Sequence, residues 1–208
     1  MRAFLLASGL GTRLRPITNH IPKCLVNING KPLLEYWLDN IFSAGIDECL
    51  INTHYLSDQV NNYISKSKYK KKISLVYEEE LIGTAGSLKK NIDFFNNSHG
   101  LLIYADNFTT YDLNNFISSS LSMPKVCIMS MLTFKCQDPT QAGIITKNKQ
   151  NIMLDFIEKP QQSKNKNANA GVFFMKSDFI KFIKFLKKPV FDFSNDIIPY
   201  FKKKNILY

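Results

Sequence analysis

No stretch of this chain approaches the ~18 unbroken apolar residues that a membrane-spanning helix needs, so no membrane partner is expected. Paired cysteines are missing as well. Cys24, Cys49, Cys127 and Cys136 are scattered, form no C-x-x-C pair and have no metal-ligand spacing with His20, His54 or His99, and they read as reduced, mostly buried thiols. Internal repeats and a linker long enough to separate domains are also absent. Acids are the scarcer charge, 17 against 27 Lys and Arg, giving a net charge of +10. Such an excess suits nucleic acid, a membrane surface or a small polyanion. However, the lysines gather between Lys66 and Lys72 and at Lys202, Lys203 and Lys204, where they read as solvated surface, and no nucleic-acid partner is expected. The opening Met1 to Ala7 resembles the start of a signal peptide, but its apolar run stops at Ser8-Gly9, too short for an h-region. A buried first strand is the better reading, and a cytoplasmic location follows by default. What remains, 208 residues at 45% hydrophobic and 21% charged, is enough for one self-sustaining α/β domain and short for two.

Apolar runs of strand length alternate with segments of helical period. Strands are expected at 3–7, 49–52, 73–77, 101–104 and 126–132, with helices at 33–44, 57–64, 85–95 and 112–121 between them. Gly45 falls where a helix C′ glycine belongs, and Ser57 is placed as an N-cap with Asp58 in the first turn. This alternation predicts a mainly parallel sheet with helices on both faces. After Pro139 the pattern turns to short strands at 143–146, 152–158 and 170–175, with a polar loop at 161–167, which predicts an antiparallel section. Helices at 178–186 and 194–201 close the chain. In such sheets ligands collect outside the carboxyl ends of the strands. The residues with chemistry to offer stand there: Gly9 to Arg13, Glu78 to Gly86, Asp106-Asn107 and Glu158-Lys159 each follow a strand.

In Ala7-Ser8-Gly9-Leu10-Gly11-Thr12-Arg13, two glycines let backbone N–H groups approach phosphate oxygens, and Arg13 and Arg15 supply charge beside them. Leu14 occupies the place of the third glycine of a dinucleotide fingerprint, and no Gly-Lys-Ser/Thr follows, so neither that motif nor a Walker A loop is present. By itself G-x-G is equally a plain strand-to-loop turn. Taken alone, Asp106-Asn107 reads as a turn before a helix, Lys31-Pro32 reads as a helix start, and His54 reads as structural. Glu78-Glu79-Glu80 reads as a solvated charge run in which only Glu80 is given a functional role. Asp196 reads as a first-turn or capping residue.

The longer pattern is specific. Gly9-Leu10-Gly11-Thr12-Arg13-Leu14-Arg15-Pro16, then Pro22-Lys23, then Gly30-Lys31-Pro32-Leu33-Leu34-Glu35 closely resembles the signature of nucleoside-diphosphate-sugar pyrophosphorylases, the sugar-1-phosphate nucleotidyltransferases. The resemblance runs on through Glu80-Leu81-Ile82-Gly83-Thr84-Ala85-Gly86-Ser87-Leu88, Ala105-Asp106-Asn107, Phe156-Ile157-Glu158-Lys159-Pro160, Asn169-Ala170-Gly171-Val172 and Phe191-Asp192-Phe193-Ser194-Asn195-Asp196. It implies a three-layer, Rossmann-like nucleotide-diphospho-sugar transferase fold with a mixed, mainly parallel sheet. It also implies transfer of a nucleoside monophosphate from a triphosphate to a sugar 1-phosphate, releasing pyrophosphate. Carried over by position, Arg13 and Lys23 are the catalytic groups. Ala7, Ser8, Gly9, Gly11, Thr12, Glu80, Gly83, Thr84 and Gly86 bind the nucleotide. Asn107, Glu158, Lys159, Asn169 and Gly171 bind the sugar phosphate, and Asp106 binds Mg²⁺.

The Gly83-Thr84-Ala85-Gly86 segment resembles members that use GTP and some other nucleotides, and the leading reading is a GDP-mannose or GDP-heptose type of product. CTP or UTP with another sugar or polyol phosphate is the alternative, and a homo-oligomer is left open. The family continues into a strand carrying a second metal-binding aspartate, and the sequence reaches Tyr208 before any such element. Either the chain is truncated, or a metal site that the family makes with two aspartates has Asp106 as its sole protein carboxylate; the expectation is a single domain over 1–208 lacking that strand. A catalytically impaired nucleotide-binding subunit is the corresponding alternative.

Overall fold

The computed structural model describes residues 1–202 and 207–208, so Lys203 and Lys204 lie outside it. Ten strands occur among these residues: β1 Arg2–Leu6, β2 Asn27–Ile28, β3 Lys31–Pro32, β4 Glu48–Thr53, β5 Ile73–Tyr77, β6 Gly100–Tyr104, β7 Met129–Lys135, β8 Gly143–Lys147, β9 Met153–Glu158 and β10 Asn167–Met175. The α-helices are α1 Leu33–Ser43, α2 Ser57–Lys66, α3 Gly83–Lys90, α4 Leu113–Leu121, α5 Ser177–Phe185 and α6 Ile198–Lys202. None is long and apolar enough to cross a membrane.

Eight strands form one mixed sheet in the order β5-β4-β1-β6-β10-β8-β9, with β7 also paired to β10. β5, β4, β1 and β6 are mutually parallel, whereas β10 runs antiparallel to β6, β7 and β8. Side chains alternate across a strand, and β1 shows the result. Ala3 and Leu5 enter a core with Trp37, Leu38 and Ile41 of α1 and Phe116 of α4. Phe4 and Leu6 enter a second core on the other face with Leu88 of α3 and Phe179 and Ile183 of α5. Helix, sheet and helix thus make three layers, as the mixed α/β reading required.

Several expectations need correction. The fifth expected strand does not extend the parallel run, because β10 inserts between β6 and β7. The strand expected at 126–132 lies at Met129–Lys135, and the polar loop expected to reach 167 already becomes β10 at Asn167. Asparagines disguise that boundary: Asn165 Oδ1 accepts from Asn167 N at 3.0 Å, so polar side chains complete the backbone bonding of the turn into the strand. Ser57 is the first helical residue rather than the cap. Leu56 holds the cap position at φ 52, with no side-chain cap bond. The helix expected over 85–95 divides into α3 and a short 3₁₀ turn, Ile92–Phe95. Lys31-Pro32 does lead into a helix, but from the two-stranded β2–β3 hairpin that the sequence reading missed. The closing helix begins as a π-helical turn, Phe193–Ile197, before α6. The four thiols are free and buried, as expected.

Trp37 ties the core to the carboxyl end of the sheet. It is 2% exposed, and its Nε1 donates to the Asn107 carbonyl at 2.7 Å. Trp37→Phe removes that bond and part of the packed volume, and is expected to lower stability by about 1–2 kcal/mol. Urea unfolding of the two proteins measures the difference.

Candidate active site

The loop after β1 lies where the parallel strands end. Register sets Leu6 opposite Asn52 on one side and Tyr104 on the other. Ala7 N–H donates to Asn52 Oδ1 at 2.7 Å, which fixes the start of the loop. Gly11 has φ 67, a left-handed conformation that favours glycine, and its carbonyl accepts from the buried Thr18 hydroxyl at 2.7 Å. Gly9 has open space where a Cβ would stand, so the protein leaves the loop accessible on that side.

A cavity of about 510 Å³ opens above this loop. It is lined by Ala7, Ser8, Gly9, Gly11, Thr12, Arg13, Lys23, Gly83, Thr84 and Asp106 among the expected residues. A second cavity, of about 630 Å³, is lined by Asn107, Glu158, Lys159, Asn169 and Gly171. Arg13, Tyr104 and Asp106 line both. The two expected residue groups are therefore gathered into adjoining cavities with Asp106 and Arg13 at the junction. Two expected residues fall outside. Glu80 is exposed, and neither it nor Gly86 lines a cavity, because Gly86 packs toward Ile82 and the Val190 carbonyl.

The charged groups differ in how far they are committed. Arg13 is exposed and makes no ion pair among the described residues, which leaves its guanidinium available to both cavities. Lys23 stands on a 3₁₀ turn, Lys23–Leu25, anchored by buried Cys24 and Leu25, and its Nζ meets Asp106 Oδ2 at 2.6 Å. In the second cavity, Asn107 Nδ2 donates to the Ala170 carbonyl at 2.9 Å and Asn169 Oδ1 accepts from Gly171 N at 2.8 Å. Both asparagines thus hold the chain where the pairing of β10 with β7 shifts register, and these bonds leave Asn107 Oδ1 and Asn169 Nδ2 uncommitted. Burial raises the Glu158 carboxyl above its ordinary range. Lys159 opposes that shift, Asp192 adds to it, and a hydrogen bond from Ser194 lowers it.

Two features escaped the sequence reading. The first is Asn52, fully buried at the end of β4, whose Nδ2 lies 3.1 Å from Ser8 Oγ, 3.0 Å from Glu78 Oε1 and 3.3 Å from Ser87 Oγ. Glu78, assigned to a solvated run, is only 1% exposed, and its Oε2 has no hydrogen-bond partner among the described residues. A lone Asn closing the apolar run Cys49-Leu50-Ile51 was the available signal, since a buried amide needs partners.

The second is the contact that the 191–193 segment, matched by resemblance as part of a helix start, makes with α3 as a strap. The Phe191 carbonyl accepts from Ala85 N at 2.9 Å, and Phe193 N–H donates to Thr84 Oγ1 at 2.8 Å. The start of α3 is thereby bound to the strap, and a Cβ on Gly83 would lie 2.2 Å from the Phe191 carbonyl oxygen. Asp196 Oδ2 accepts from the backbone N–H of Phe191 and Asp192, which holds its carboxyl below the usual range and fits the first-turn reading, while Asp192 is the cap and accepts from Asn195 N–H. His54 Nδ1 lies 2.7 Å from the Glu78 carbonyl, in keeping with a structural role.

A family model described as nucleotidyl transferase matches residues 2–207. The chain belongs to this family. Its relatives include the D-glycero-alpha-D-manno-heptose 1-phosphate guanylyltransferase of Campylobacter jejuni, 28% identical, with 98% of this chain and 87% of that protein covered. A UTP–glucose-1-phosphate uridylyltransferase of Synechocystis is 24% identical, with 96% of this chain and 54% of that protein covered. Among solved structures, HddC from Yersinia pseudotuberculosis superposes with a TM-score of 0.79 at 25% identity, over 95% of this chain and 85% of its own. HddC has also been solved complexed with GMP-PN. This nucleotidyl transferase chain spans about half the length of several curated relatives it matches.

Nucleotidyltransferases of this family generally use a divalent metal. No group of three His, Cys, Asp or Glu side chains that could hold a metal is present among the described residues. Asp106, open to both cavities, nevertheless fits a hard cation of the Mg²⁺ type, which commonly takes one or two carboxylates and completes its shell with substrate phosphates and water.

Proposed function

We propose that residues 1–208 act as one nucleotidyltransferase domain that transfers a nucleoside monophosphate, from GTP in the leading reading, to a sugar 1-phosphate. The observation carrying this reading is the junction itself: the Gly-rich loop cavity and the Lys159 cavity meet at Arg13 and Asp106. A triphosphate in the first and a sugar phosphate in the second would bring the sugar-phosphate oxygen in line with the α-phosphorus. A bond forms between that oxygen and phosphorus, the α–β bridging bond breaks, and pyrophosphate leaves. Such chemistry needs positioning and charge neutralisation more than acid–base help. Arg13 stabilises the leaving pyrophosphate, Lys23 binds near the α-phosphate, and Lys159 holds the sugar phosphate. Glu158 and Asn169 orient sugar hydroxyls. Asp106 holds the Mg²⁺, which supplies additional neutralisation when bound. The products in this reading are GDP-mannose or a GDP-heptose, for polysaccharide assembly.

Guanine is favoured by the guanylyltransferase relative and by the HddC structure complexed with GMP-PN. The uridylyltransferase relative supports UTP as a second reading.

A matrix of four nucleoside triphosphates against several sugar 1-phosphates, with Mg²⁺ and pyrophosphate detection, separates these possibilities. GTP with mannose 1-phosphate or D-glycero-D-manno-heptose 1-phosphate is the expected best pair. Turnover with UTP alone would replace the guanylyl reading, and no turnover with any pair would leave the nucleotide-binding subunit as the better account.

A further inference from the structure

Lys23 and Asp106 form an ion pair at the floor of the nucleotide cavity, with 21% and 39% of their side chains exposed. It is the single ion pair of either group among the described residues. Because Asp106 offers the carboxylate for a divalent cation and Lys23 already occupies its Oδ2, ammonium and metal compete for the same oxygen. The turn bearing Lys23 is anchored: Cys24 and Leu25 are 1% and 7% exposed, and Val26 N–H donates to the Lys23 carbonyl at 3.2 Å. The backbone is fixed there, so exchange of partners falls to the flexible four-carbon side chain. Lys23 lines the first cavity and not the second, so the phosphates that can draw it away are those of the nucleotide.

We infer that Lys23 is a built-in placeholder for the metal: it blocks divalent-cation binding to the free protein and leaves Asp106 when triphosphate enters. The inference rests on Asp106 being the metal ligand. In the free protein, a divalent cation at Asp106 would sit beside an ammonium with no phosphate to offset their repulsion. With triphosphate present, the phosphate oxygens provide a second partner for Lys23 and further ligands for the metal. One exchange of ion-pair partners thus couples nucleotide entry to completion of the metal site, and metal enters with or after the nucleotide.

The test is Mn²⁺ titration of the full chain by electron paramagnetic resonance, first without nucleotide. Wild type is expected to bind Mn²⁺ weakly, and Lys23→Met to bind it at least roughly tenfold more tightly through relief of that repulsion. Lys23→Arg, which keeps a cation at the position, is expected to remain as weak as wild type. The gain should vanish in Lys23→Met combined with Asp106→Asn. Circular dichroism melts confirm that each variant is folded. Equal Mn²⁺ affinity in wild type and Lys23→Met would overturn the placeholder. A separate titration with GTP present tests the premise: if Asp106→Asn bound Mn²⁺ as tightly as wild type there, the metal-ligand assignment would fall instead.

Discussion

Asp106→Ala is expected to lower kcat about 10³-fold while leaving the protein folded and able to bind GTP. The carboxylate stands where both cavities meet, and in the proposed reaction its removal takes away the protein ligand of the cation that neutralises the triphosphate. Its effect on folding is small by comparison. The pair with Lys23 is partly exposed, and ion pairs of that kind contribute about 1 kcal/mol or less. Stopped assays with pyrophosphate detection, run beside GTP binding by calorimetry, distinguish lost chemistry from lost structure. A variant that keeps more than a tenth of the wild-type kcat would remove Asp106 from the reaction.

Asn52→Ala is expected to have the largest effect on stability among the site variants considered. The amide bonds Ala7 N–H, Ser8, Glu78 and Ser87 from a fully buried position. Truncation strands one Glu78 oxygen beside another that already lacks a donor, and each unsatisfied buried group costs about 1–3 kcal/mol, more when charged. A total near 3 kcal/mol corresponds to a Tm lower by about 6–12 °C at this chain length. The Gly-rich loop also loses its anchor at Ala7, so GTP affinity should fall in protein that remains folded at low temperature. Thermal melts and GTP titration read the two consequences separately. An unchanged Tm would show that the network is not maintained in solution.

The positions of these residues were unequally legible in the sequence. Periodicity located the strands of the parallel section to within a few residues, because β4, β1 and β6 are nearly continuous buried runs with a core on each face and β5 keeps apolar side chains toward both. The cavity-lining loops followed from the rule that ligands gather at carboxyl strand ends. Glu78 could not be told apart from Glu79 and Glu80 by composition. Its burial depends on β5 lying beside β4, where Glu78 N–H donates to the Thr53 carbonyl and the carboxylate meets Asn52. The strap was equally hidden, since Thr84 and Phe193 are distant in sequence and only the folded chain joins them. Glu80, by contrast, drew attention through the motif it adjoins, yet exposure leaves it outside both cavities.

The insertion of β10 between β6 and β7 carries a consequence for synthesis of the chain. β6 and β7 leave the ribosome before their shared neighbour exists, and the intervening stretch takes on the order of seconds to translate. Until β10 arrives, both strands present unpaired edges, the feature that most readily recruits a second chain. The nascent protein therefore passes through an interval in which aggregation competes with folding, and chaperone demand should be concentrated there. Substitutions that slow the docking of β10 would reduce the yield of soluble protein more than they reduce the stability of the molecules that finish folding.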